Sequence, residues 1–181
     1  MSSMLYITSL NFFIIVKDYK LLLFFIMNLI FYSQPSYSEI KNSINGSGLK
    51  IPRMVSMKNS LTFMRTGPGK EFPIKFEINQ KGYPVEIIAE FNNWRKVNTK
   101  NNLSGWIHTQ LLSSFKTALV ITNTPLKKRS SDSSKTLAKL LPNLLIKVIK
   151  CKLRWCNIEV FKNKNFAGWV RKSTIWGHVN K

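Results

Sequence analysis

The last two-thirds of this chain writes one pattern twice. Val85, Ile88, Trp94, Val97, Gly105, Trp106 and Ile107 recur as Ile146, Ile149, Trp155, Ile158, Gly168, Trp169 and Val170, at offsets of 61 to 63 residues. A repeat of that length reads as a duplicated small domain. Units of this size lie near the lower limit for independent folding and bury few side chains. Each core is therefore expected to rest on a handful of large aromatic residues. The five tryptophans, Trp94, Trp106, Trp155, Trp169 and Trp176, all fall inside the two copies.

Neither copy carries a sustained amphipathic helical pattern; the stretch 133–141 ends at Pro142. Short runs rich in β-formers alternate with turn residues, which predicts a small all-β barrel or sandwich. In the first copy strands are expected at 61–65, 74–78, 84–91, 94–99 and 104–108. Asn92 and Asn93 suit a tight hairpin between the third and fourth, because Asn tolerates left-handed backbone. Gly67, Pro68 and Gly69 mark a surface loop. Glu86 and Glu90 share one strand run and are expected to face solvent.

Residues 1–38 differ in kind. Lys17 and Lys20 precede an apolar run at 21–31, and Ser36 and Ser38 place small residues ahead of Glu39. This reads as a signal peptide. An uncleaved membrane anchor is the other reading, since an earlier apolar stretch at 5–16 adds length. Residues 39–53, with Ser43, Gly46, Ser47 and Gly48, read as a flexible linker. The copies then occupy 54–115 and 116–181.

The run Leu61, Thr62, Phe63, Met64, Arg65, Thr66, Gly67, Pro68, Gly69, with Gly82 before a long strand, Trp94 opening the next and Gly105-Trp106-Ile107 closing, resembles the bacterial SH3-like domain. Met64 stands where that family usually has Leu. The second copy departs further: Lys127, Lys128 and Arg129 replace the Arg-x-Gly-Pro-Gly loop, and Asn143 replaces Gly. The stretch 54–178 is similar to tandem domains in secreted proteins of alphaproteobacteria. The resemblance implies two half-open five-stranded barrels in tandem, which here follow the hydrophobic leader, expected as a helix. It also implies attachment to the cell wall or binding of peptides there.

Cys151 and Cys156, the only cysteines, straddle the turn matching 91–94, so they would face each other across a hairpin. In an oxidising compartment a disulfide there is expected, worth about 2 kcal/mol for so short a loop. A metal site has no second pair and no suitably spaced His to complete it. A catalytic thiol has no helix N-terminus to activate it, and His178 sits in the tail.

The formal net charge is +20. Residues 116–181 hold 15 basic and 2 acidic side chains, against 8 and 4 in 55–115. The asymmetry points to an anionic partner. A solvated basic surface in a Lys-rich composition is the simpler reading, and Lys is the poorer bidentate phosphate ligand. Acidic residues are scattered without a paired-carboxylate pattern, and no phosphate loop or nucleophile elbow appears. No catalytic residue, metal or cofactor is expected. Wall-hydrolysing relatives carry a separate Cys-His catalytic domain, for which the two copies leave no room.

Binding then rests on aromatic and basic side chains. Tyr83, Trp94 and Trp155 are candidates to floor a shallow groove. Lys127, Lys128 and Arg129, with Lys150, Lys152 and Arg154, would make a basic face. Trp106 and Trp169 are expected in the cores. The chain reads as a periplasmic or secreted envelope protein recognising peptidoglycan peptides or an envelope protein. The alternatives are an electrostatic binder of anionic polymers (lipopolysaccharide, membrane surface or nucleic acid) or a passive scaffold. The leader argues against nucleic acid and leaves membrane contact to itself alone, if uncleaved.

Overall fold

Strand alternation is visible wherever a β-run lies between turn residues. A computed structural model of the chain describes residues 43–161 and 163–179; the leader at 1–38 lies outside them. The first sheet contains β1 (Ser43–Ile44), β2 (Arg53–Met57), β3 (Thr62–Arg65), β4 (Ile74–Ile78), β5 (Pro84–Phe91), β6 (Trp94–Asn98), β7 (Ser104–His108) and β8 (Leu112–Ser113). The second contains β9 (Thr117–Val120), β10 (Thr124–Lys127), β11 (Thr136–Leu140), β12 (Leu145–Lys152), β13 (Trp155–Val160), β14 (Asn163–Arg171) and β15 (Ile175–Gly177). The described residues hold no α-helix, only two three-residue 3₁₀ turns. No helix among them is long and apolar enough to cross a membrane.

The two sheets have the same strand order. The first runs β4-β3-β7-β6-β5-β2-β8, with β1 beside β5, and the second runs β11-β10-β14-β13-β12-β9-β15. This is the all-β tandem SH3-like architecture. The five expected strands of the first copy fall within a residue of their places. The short strands β2 and β8, which sequence patterning did not reveal, extend the sheet.

Period-2 alternation sorts each strand into an inner and an outer face. In β7 the buried residues are Gly105 and Ile107, so Trp106 points the other way and is half-buried. Val170 and Gly168 exclude Trp169 from the second core in the same fashion. The expectation of aromatic cores is therefore corrected: none of the five tryptophans is buried. The first core is Met57, Met64, Val85, Ile87, Val97 and Ile107. The second is built largely of Val120, Leu126, Ile146, Ile158 and Val170. A barrel this narrow holds aliphatic side chains, each worth about 1.5–3 kcal/mol when fully buried.

A β-bulge breaks the alternation in β5. The register with β6 shifts between Ile87 and Ala89, which turns Glu90 inward. Glu90 is 2% exposed, against the expectation that it faces solvent. Its carboxylate meets Arg53 Nη2 at 2.5 Å and Arg95 Nε at 3.1 Å. Ser47 donates its backbone N–H at 2.6 Å and its hydroxyl at 2.8 Å to the same group. The stretch expected as a flexible linker, 39–53, thus contains β1, the start of β2 and an anchor to the first barrel.

The same bulge recurs in β12, between Val148 and Lys150. There the equivalent cross-strand pair is Cys151 with Cys156, joined by a disulfide. One slot in the fold is closed by an ion pair, Glu90 to Arg95, in one copy and by a covalent bond in the other.

Positive-φ positions follow the repeat as well. Gly82 (φ 81°) and Asn143 (φ 65°) occupy the same turn before the long strand, which explains why Asn replaces Gly there. Asn92 (φ 47°) and Leu153 (φ 48°) occupy the hairpin turns. Leucine has no local hydrogen bond to ease that conformation, and this one is 94% exposed. Leu153→Asn is expected to stabilise the chain by about 1 kcal/mol, measured as an upward shift of the urea midpoint at constant slope.

Candidate functional site

Tyr83 and Trp94 lie at opposite ends of β5. At the usual rise per residue they are separated by about 25 Å or more along the strand, so they do not floor one groove. Tyr83 packs against the first core, and burial raises its phenol above the usual range. It lines a cavity of about 350 Å³ with Phe76, Thr99 and Asn101.

Trp94 opens β6 opposite His108 on β7. The rings stand edge to face, 5.3 Å between centroids. His108 Nδ1 also accepts the backbone N–H of Gln110 at 3.4 Å and caps a 3₁₀ turn. Trp155 has the equivalent place in the second barrel, opposite Arg171 on β14. The Arg171 guanidinium sits 5.2 Å from the ring centroid, a cation–π contact. Both tryptophans are half-buried, with one side taken by a cross-strand partner.

Lys128 and Arg129 are exposed on the β10–β11 loop. Lys127 is half-buried, and its ammonium donates to the Ser134 carbonyl at 3.1 Å. The loop is pinned to the tryptophan through Asp132, which accepts Arg171 Nε at 3.0 Å and pairs with its terminal nitrogen. The structure therefore brings the basic loop and Trp155 together by way of Arg171, a residue that sequence reading did not single out. The first barrel's two candidates stay separate from each other.

The two barrels belong to one unit and meet along an interface. The Thr117 hydroxyl donates to the Gly82 carbonyl at 2.7 Å, fully buried, and the Lys100 ammonium donates to Asn143 Oδ1 at 2.9 Å. Phe115, in the linker between barrels, lies edge to face with Phe161, 6.0 Å between centroids. Beside this pair is a cavity of about 500 Å³ lined by residues of both barrels, among them Lys58, Lys81 and Lys147. Sequence reading missed it because its walls come from segments up to about a hundred residues apart. The pair of phenylalanines had no repeat signature to mark it.

Cys151 and Cys156 are both oxidised and no free cysteine exists, so the thiol-nucleophile reading loses its nucleophile. His178 is bound to the Thr117 backbone, and burial holds its pKa below the ordinary imidazole value. Among the described residues no group of three or more His, Cys, Asp or Glu is placed to hold a metal ion.

Residues 58–114 match the family model described as "Bacterial SH3 domain". No curated protein matches the chain. Solved structures with some similarity include NlpC2 from Trichomonas vaginalis, at 10% identity and a TM-score of 0.32, covering 74% of this chain and 52% of that one. An NlpC/P60 family protein from Bacillus cereus is 14% identical with a TM-score of 0.31, covering 68% of this chain and 55% of that one. The chain spans about half the length of these structures. With the strand order, the Gly-Pro-Gly loop and the Gly-Trp closing strand all in place, the chain carries a bacterial SH3 domain at residues 58–114.

Proposed function

We propose that this protein is an exported, non-catalytic binding module of the bacterial cell envelope that recognises peptidoglycan peptides or an envelope protein. The observation that supports it most is the bacterial SH3 domain at 58–114, repeated in strand order by the second sheet. The oxidised Cys151–Cys156 pair suits a compartment outside the cytoplasm, as does the leader read at 1–38. The second reading, a charge-driven binder of anionic polymer, draws on the net charge of +20 and on the exposed Lys128 and Arg129.

Pelleting with insoluble peptidoglycan separates the two. The purified full chain, kept in non-ionic detergent because of the apolar run at 21–31, is expected to pellet in both low and high salt. Complete release at high salt favours charge alone, since counterion release makes such binding steeply salt-dependent. Failure to pellet at any salt removes the peptidoglycan reading and leaves a protein partner.

A further inference from the structure

The groove between the barrels has a chemistry of its own. Gly82 sits in left-handed backbone, and a Cβ there would lie 2.7 Å from the Phe161 ring, so the β4–β5 turn of one barrel rests directly on the other. A second cavity of about 510 Å³ adjoins Phe115, with Ser113, Phe115 and Lys147 lining both. Among the described residues four lysines border the two cavities: Lys58, Lys81, Lys116 and Lys147. The one acidic side chain lining them among the described residues is Glu159, and it already accepts from Lys147 at 3.4 Å. Three positive charges are left over, beside an aromatic floor where Phe115 is 43% exposed.

Like charges gathered around an apolar floor repel one another, and an anion relieves that repulsion. Lysine ammoniums are point donors suited to single carboxylate oxygens. The floor favours short aliphatic groups, and two neighbouring cavities that share three lining residues favour an extended chain. We propose that the inter-barrel groove binds an extended peptide carrying carboxylates between small aliphatic side chains. This deepens the envelope-binding reading by giving its ligand a site and a chemical class. Because the lysines come from both barrels and their linker, neither barrel alone makes the site.

The test uses the full chain in non-ionic detergent and a fluorescently labelled acetyl-Ala-Glu-Ala-Glu-Ala amide, read by anisotropy. The Gln-for-Glu peptide is the uncharged comparison. Lys58→Glu with Lys81→Glu alters the groove, both residues being exposed. Lys70→Glu with Lys139→Glu makes the same change in net charge at exposed positions outside it. The groove pair is expected to weaken the acidic peptide by about tenfold or more, about 1.4 kcal/mol. The outside pair is expected to change it by less than about threefold, and the Gln peptide is expected not to bind. Equal losses in the two variants overturn the proposal in favour of unspecific charge. Anionic phospholipid vesicles that displace the peptide, with the same dependence on the groove pair, overturn it in favour of a lipid headgroup. A chain that pellets with peptidoglycan but ignores the peptide loses the groove assignment and keeps the function. A chain that binds the peptide but never pellets loses the peptidoglycan reading and keeps the groove.

Discussion

Glu90→Gln is expected to destabilise the first barrel by about 3–5 kcal/mol, the usual loss when one member of a buried ion pair is removed. The carboxylate is shut away from water and is held by Arg53, Arg95 and Ser47. Burial by itself would raise its pKa. The Arg53 hydrogen bond and the Ser47 donors outweigh burial and bring it down to about 2, from 4.5. Glutamine keeps the shape but loses the charge, stranding Arg95, which is 7% exposed.

The sign of the pH dependence follows. The folded pKa is below the unfolded one, so the carboxylate's contribution is complete above about pH 4.5 and is lost as pH falls toward 2. Wild-type stability, taken from urea unfolding, should drop across that window, and the Glu90→Gln curve should be flatter there. Parallel curves would show that Glu90 does not carry the acid sensitivity.

The second large effect is expected at the Gly-Trp motif. A Cβ on Gly168 would lie 2.7 Å from the Lys127 carbonyl and 3.0 Å from the Leu126 side chain, where β10 pairs antiparallel with β14. Gly168→Val must push two backbones apart and should cost about 3 kcal/mol, the upper part of the range for overpacking. Gly105 has slightly more room, 3.0 Å to the Arg65 carbonyl, so Gly105→Val should cost less. Thermal unfolding followed by tryptophan fluorescence would rank the two. The opposite order would mean that the close approach of the paired strand does not explain why glycine occupies both places.

The motif that carried the resemblance therefore has its glycines where the paired strand comes close and its tryptophans on the outer face. Strand positions were legible because apolar periodicity and turn residues are local. The hairpin at Asn92 was legible from its turn residues, and the Cys151–Cys156 bridge by aligning one copy with the other. Glu90 was not, since a bulge at Ile88 reverses the faces and no residue type announces it. Assigning Trp106 and Trp169 to the cores overlooked their neighbours: Ile107 and Val170 already claim the inward direction. The Ser47 anchor was hidden for a related reason. Its acceptor lies 43 residues away, and a Gly- and Ser-rich stretch looks the same whether or not something holds it.

The slot beside the bulge makes the twin halves chemically unlike. Protons unfasten one clasp and leave the other alone; a thiol reductant does the reverse. Acid would loosen residues around Glu90 first, whereas a reductant would free the hairpin at Leu153. Duplication has left two copies of one shape that do not fail together.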